Sequence, residues 1–187
     1  MNNKLLFLIL FFALIFRLSA AFFSRQEVLF DAAGYDSRAL SLAEGKGFTN
    51  EDKPTAFKEP FYSFFLAGVY YLFGHNYLAV RIIQAILGAF VCLLIYLISK
   101  RIFGSRVAVL SALIAAIYPA FIKCTEQITT EGFYAFLLLL SIYFIVKLIN
   151  RATLRNSCIL GLVLGIGTLT RSVLAPFVIV ICLFLLF

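Results

Sequence analysis

Charge is what this sequence has least of. Asp, Glu, Lys and Arg make up 13% of its 187 residues, about half the share found in soluble globular domains. That scarcity excludes an ordinary water-soluble domain. Tryptophan is absent and histidine occurs once, in the Gly74-His75-Asn76 turn, where a lone histidine reads as a solvated loop residue rather than a ligand. The four cysteines (Cys92, Cys124, Cys158, Cys182) lie in or beside apolar runs, without a CxxC pair. They read as packing residues, not as a zinc site or a disulfide framework. No Walker or GxGxxG phosphate loop is present. The glycines of "EGKGF" suit the end of a helix.

What the chain has instead is apolar length: 63% of its residues are hydrophobic. Apolar segments run over about 5–23, 61–73, 78–99, 107–122, 132–149, 158–170 and 173–187. Such long, non-alternating runs exclude a barrel and specify helices, which satisfy their own backbone groups in lipid. The expected fold is an all-α, polytopic transmembrane bundle. "RLSAA" after the first run resembles a signal cleavage site, but the preceding basic region is Lys4 alone, and further membrane segments follow. An uncleaved first helix is expected.

The net charge of +7 would point to nucleic acid in a soluble protein. Here Lys and Arg cluster at helix ends and act as topology signals, so no nucleic-acid partner is expected. They also decide whether 61–73 spans. If it does not, and the N-terminus is cytoplasmic, Lys4, Lys100, Arg101, Arg106, Lys147, Arg151 and Arg155 all fall inside. If it does, six of these move outside, and only Lys4, Lys123 and Arg171 remain. The positive-inside rule selects the first arrangement. Residues 24–77 then form one long extracytoplasmic loop, with 61–74 as a juxtamembrane or re-entrant helix.

Within that loop Asp31 is placed to cap a helix that Gly45 and Gly47 stop. Ala32, Tyr35, Ala39, Leu42 and Ala43 share one face of it, opposite Ser37, Ser41 and Glu44, as in an amphipathic surface helix. Asp31 is expected to project toward the apolar side and Asp36 to sit at its edge. The outer face thus gathers Asp31, Asp36, Lys58, Glu59, Glu126, Glu131 and Arg171. Each has a plainer reading: Asp31 as a cap, Glu131 as a helix-start acid, Arg171 as an interfacial snorkeller and Lys58 as a loop lysine. Together they suggest a carboxylate acting as general base beside cations that hold a lipid-linked phosphate.

In order and spacing these pieces resemble the N-terminal part of GT-C-type glycosyltransferases, the superfamily of protein O-mannosyltransferases and bacterial aminoarabinose transferases. "DAAGYDSRALSLAEGKGF" is similar to that family's acid-x3-Tyr-x3-Ala run ending in Gly-x-Gly. "PTAFKEPFYSFFLAGVYYLFG" resembles its basic, proline-led re-entrant segment. "AVRIIQAILGAFVCLLIYLISKRIFGSRVAVLSALIAAIYP", "TEGFYAFLLLL" and "GLVLGIGTLTR" resemble the membrane helices that follow. The resemblance implies a polyprenyl-phosphate sugar donor used on the extracytoplasmic face of the cell membrane, and a protein or glycolipid acceptor. It implies that Asp31, with Asp36 and Glu131, forms the catalytic set, and that Tyr35, Lys58, Glu59 and Arg171 bind substrate. Many relatives place a second acid beside the first. Here Ala32 follows Asp31, which leaves Asp36 or Glu59 to compensate. No motif implies a metal, and a divalent cation is left open. The 187 residues are expected to be one domain: helix 5–23, loop 24–77, and helices 78–187, truncated at its C-terminus. A transporter fragment or a non-catalytic membrane scaffold is the alternative.

Overall fold

The computed structural model describes residues 3–24, 28–50, 53–54 and 58–186. Among these run nine helices: α1 (Asn3–Phe23), α2 (Asp31–Ala43), α3 (Phe61–Phe73), α4 (Tyr77–Phe103), α5 (Ser105–Ile117), α6 (Pro119–Glu126), α7 (Thr130–Asn150), α8 (Leu154–Thr170) and α9 (Leu174–Leu186). One antiparallel pair, β1 (Thr49–Asn50) and β2 (Lys53–Pro54), lies between α2 and α3. The chain is all-helical but for that pair, as expected.

Among the described residues, three helices are long and apolar enough to cross a membrane: α1 over Lys4–Phe23, α4 and α7. The segment expected as one span over 107–122 is broken. Pro119 lacks the amide proton a helix interior needs and forces the preceding residue out of helical geometry. Tyr118 accordingly takes φ −65° and ψ 117°, and Pro119 opens α6. The two halves, α5 and α6, meet at 46° and count as a fourth span only as a bent pair. At 1.5 Å per residue the 13 residues of α3 reach about 20 Å, short of the roughly 30 Å hydrocarbon core. By length, α3 is not a span.

α4 is the central helix, packed against α1, α5, α6 and α7. Small residues make its closest approaches possible: Ala108, Ala112, Ala115 and Ala116 of α5 are buried with Ile9 and Ala13 of α1 and Cys92 and Tyr96 of α4. In lipid, where no hydrophobic force drives helices together, such stripes let backbones come close enough to gain dispersion energy. Arg17 of α1 is fully buried and donates to the Ala13, Ala115 and Ala116 carbonyls at 3.0–3.2 Å. It thereby satisfies backbone acceptors that the end of α5 leaves open. α8 packs on α7, α3 and α9.

α2 lies on α3. The face foreseen from the helical wheel is the packed one: Ala32, Tyr35 and Ala39 are buried, and Leu42 and Ala43 pack on the same core. The glycine stop also forms. Gly45 (φ 76°) and Gly47 (φ 86°) are left-handed. The Gly45 amide donates to Leu42 and the Lys46 amide to Ser41, the Schellman pattern. The start differs. Asp31 is the first helical residue rather than the cap, which is Phe30, with φ 52° and no side-chain capping bond. The Asp31 side chain is 80% exposed. Arg38 is buried, with its guanidinium donating to Gly34 O at 2.6 Å and lying over the Phe48 ring.

Candidate functional site

The elements converge at one end of the bundle, where α2, α3, the start of α7 and the end of α8 meet. Tyr35 is the centre. Its ring is buried on α2 and meets Tyr62 of α3 edge-on at 5.3 Å. Lys58, just before α3, sets its ammonium 4.9 Å from the Tyr35 ring centroid and pairs with Asp31 Oδ1. A cation over an aromatic face is held by the ring quadrupole. Exposure within the pair is unequal: the lysine side chain is 20% exposed, against 80% for the aspartate. The amine is thus sheltered and the carboxylate open.

A second layer joins α7 and α8 to this centre. Glu131, in the first turn of α7, faces Arg171, the residue that ends α8, at 3.5 Å. Arg171 also lies over the Tyr134 ring at 5.8 Å. The next residue, Ser172, donates its amide (2.9 Å) and hydroxyl (2.7 Å) to Glu59 Oε1. These two bonds, ahead of the opposing effect of burial, hold the Glu59 carboxyl below its ordinary range, with Arg171 adding in the same direction. Burial raises the Tyr35 phenol, and Lys58 opposes it; Glu59, Asp31 and Arg171 act on the same group. Glu131 contributes to the upward shift of Tyr62, which burial dominates. Six residues singled out in the sequence, Asp31, Tyr35, Lys58, Glu59, Glu131 and Arg171, therefore share one electrostatic neighbourhood.

Asp36 does not. Its carboxylate accepts from Tyr70 Oη (2.5 Å) and Tyr77 Oη (2.9 Å), and His75 Nε2 lies 2.9 Å away. Burial, then the bond to Asp36, raises the Tyr70 phenol. Three donors on one partly buried carboxylate tie α2 to the α3–α4 turn. His75, exposed in the α3–α4 turn as expected, adds its contact to this network. Ser172, Tyr134, Tyr70 and Tyr77 were not foreseen. "TRS" inside an otherwise apolar run carried a signal for Ser172; nothing local marked the tyrosines. Among the described residues no three His, Cys, Asp or Glu side chains are grouped to hold a metal ion.

Residues 52–187 match the family model described as dolichyl-phosphate-mannose-protein mannosyltransferase. The match takes in Lys58, Glu59, Glu131 and Arg171; Asp31, Tyr35 and Asp36 precede it. No curated protein and no solved structure matches the chain. A match over most of the length, on an all-helical chain with three to four candidate spans, settles membership: the chain belongs to the dolichyl-phosphate-mannose-protein mannosyltransferase family of membrane glycosyltransferases.

Proposed function

We propose that this protein transfers a sugar from a polyprenyl-phosphate carrier to a hydroxyl of a protein or glycolipid acceptor, at the extracytoplasmic face of the cell membrane. One observation carries the reading: an open carboxylate, Asp31, is paired with a sheltered cation, Lys58, beside a second cation, Arg171. Before substrate arrives, Lys58 is spent on Asp31. An incoming phosphate competes for Lys58 and releases Asp31 to accept the acceptor's proton. The freed oxygen then bonds to the anomeric carbon as the bond from that carbon to the phosphate oxygen breaks. The electron pair leaves with the phosphate, whose growing charge Lys58 and Arg171 neutralise. Attack opposite the leaving group inverts the anomeric carbon.

Glu131 orients Arg171, and Glu59 fixes the α8–α9 turn that carries it. Asp36 acts at a distance by holding α2. Tyr35 forms the floor under Lys58. The transporter alternative rests on buried ionisable groups and broken helices, and both exist here in Arg17 and the α5–α6 bend. The family match favours transfer over transport. The test is to present membranes containing the protein with isotopically labelled polyprenyl-phosphate sugars and follow carrier release. One donor should be consumed with matching label in an acceptor. Donor consumption no greater than in membranes lacking the protein would end the proposal.

A further inference from the structure

All 9 acidic residues of the sequence lie within 27–59 or 126–131. The end of the bundle away from the candidate site, where α4 and α7 finish and α5 and α8 begin, carries Lys100, Arg101, Arg106, Lys147, Arg151 and Arg155 with no acid in its turns. Topology accounts for the cations but not for the missing acids, because carboxylates weigh little in the positive-inside rule. Nor does topology call for the way three of these cations are held. Tyr143 of α7 has Arg101 of α4 at 5.8 Å and Lys147 at 5.9 Å from its ring centroid. Lys147 also lies 5.7 Å from the Phe144 ring, which meets Tyr143 edge-on at 5.5 Å. Lys100, beside Arg101, lies 5.7 Å from the Tyr96 ring. Contact with a ring fixes each stem and leaves the N–H groups available to a ligand. Two like charges from different helices on one ring, with no counter-charge, repel each other, and an anion among them removes that cost. Large apolar side chains stand between the cations: Ile102, Phe103, Ile149 and Leu154 are each more than half exposed. A soluble anion gains nothing from such neighbours, whereas acyl chains pack on them.

We infer that this end of the bundle binds an anionic phospholipid whose headgroup carries two phosphates. One phosphate sits between Arg101 and Lys147 beside Tyr143, and the second reaches the flanking cations of the α4–α5 and α7–α8 turns. The planar fork of Arg101 offers two parallel bonds to a phosphate, and Lys147 a point charge. Basic clusters between neighbouring membrane helices recognise phospholipid headgroups by this chemistry. A single phosphate would leave most of these cations uncompensated, which selects the doubly charged headgroup. The inference rests on the membrane bundle alone and needs neither the sugar donor nor the transferase reading.

The experiment titrates the full protein in neutral detergent micelles with cardiolipin, phosphatidylglycerol and phosphatidylcholine, and reads retained lipid by native mass spectrometry. The wild type should hold cardiolipin about tenfold more tightly than phosphatidylglycerol and should not retain phosphatidylcholine. Each cation at a headgroup is worth about fivefold in affinity, so Arg101→Gln combined with Lys147→Gln should lose roughly 25-fold. Tyr143→Leu keeps every charge and should lose severalfold, because the two cations are no longer held together. Lys46→Gln, which removes a cation from the loop after α2, should lose nothing. Melting temperatures equal to the wild type in lipid-free micelles show that the variants have folded. Unchanged cardiolipin affinity in the double variant or in Tyr143→Leu overturns the inference, as does an equal loss in Lys46→Gln. Equal affinity for the two anionic lipids overturns the two-phosphate headgroup, and displacement of cardiolipin by equimolar inorganic pyrophosphate overturns the lipid. Sugar transfer is read in none of these arms, so failure here leaves the transferase reading standing, and failure of that reading leaves this one standing.

Discussion

At the scale of single residues, the charged pair is unequally sheltered. Lys58 is pinned over Tyr35 while Asp31 stands in the open, so the two should fail differently when changed. Lys58→Met removes a charge-assisted contact to the donor phosphate, about 1.5–3 kcal/mol, or roughly a 10- to 100-fold rise in donor KM. Steady-state kinetics over donor concentration checks this, and an unchanged KM would place the phosphate elsewhere. Glu59 offers a second prediction. Its carboxyl sits below the ordinary carboxylate range because Ser172 donates to it twice. A depressed value means that the contribution to stability is complete above the unfolded value of about 4.3 and fades as pH falls through the folded one. The melting temperature of the wild type in detergent should therefore exceed that of Glu59→Gln at neutral pH. The gap should close as the pH is lowered below about 4. A gap independent of pH would show that the bonds to Ser172 do not depend on the ionised form. Asp31 was legible as the outstanding acid of the loop because it interrupts an apolar sequence. Its partner was not, since 27 residues separate it from Lys58 and no local pattern encodes a contact at that distance.

At the scale of elements, glycines report where helices touch. A Cβ on Gly88 of α4 would lie 2.6 Å from Arg17 Nε and 2.7 Å from Arg17 Cδ. The guanidinium is anchored on three carbonyls and cannot swing aside without losing them. Gly88→Ala should therefore destabilise the protein by about 1–3 kcal/mol, the usual cost of overpacking. Gly161 and Gly165 of α8 have open space around the same position. Alanine there should be neutral or stabilise by up to about 1 kcal/mol through helix propensity. Denaturation of the three variants in detergent micelles separates these outcomes; equal effects would mean that Arg17 does not sit against Gly88. The elements themselves were largely legible. The buried face of α2 follows from a period of 3.6, and its end from two glycines that tolerate positive φ. The break at Tyr118 was also written in the sequence, as a proline within an apolar run, but an apolar run of spanning length conceals it. Hydropathy measures how greasy a segment is, and the missing amide proton of Pro119 does not change that. The capping of α2 went the other way: the side chain suited to the cap is instead drawn to Lys58.

At the scale of the whole molecule, two ends differ in charge. Lys100 and Arg101 close α4, Arg106 opens α5, Lys147 closes α7, and Arg151 and Arg155 flank the start of α8. The candidate site lies at the other end of the same helices. By the positive-inside rule we propose that the basic end lies in the cytoplasm and the site outside. Replacing the native cysteines and introducing Lys46→Cys or Arg151→Cys tests this with a membrane-impermeant thiol reagent. Lys46→Cys should label in intact cells, and Arg151→Cys only after permeabilisation; the reverse pattern would invert the proposed face. The bundle class and the two-ended charge pattern were readable because composition and helix-end charges are local. The joining of Glu59 to Ser172 across 113 residues belongs to the folded state alone.

The central claim is that Asp31 takes the acceptor's proton. The most direct measurement is the single-turnover rate of sugar transfer by wild type, Asp31→Asn and Asp36→Asn in membranes of matched protein content. Loss of a positioned base typically costs 10²- to 10⁴-fold, so Asp31→Asn should lose at least two orders of magnitude at saturating donor. Asp36→Asn should lose roughly tenfold or less, because it only loosens the Tyr70–Tyr77–His75 anchor of α2. Transfer by Asp31→Asn at the wild-type rate, or a larger loss at Asp36, would contradict the account.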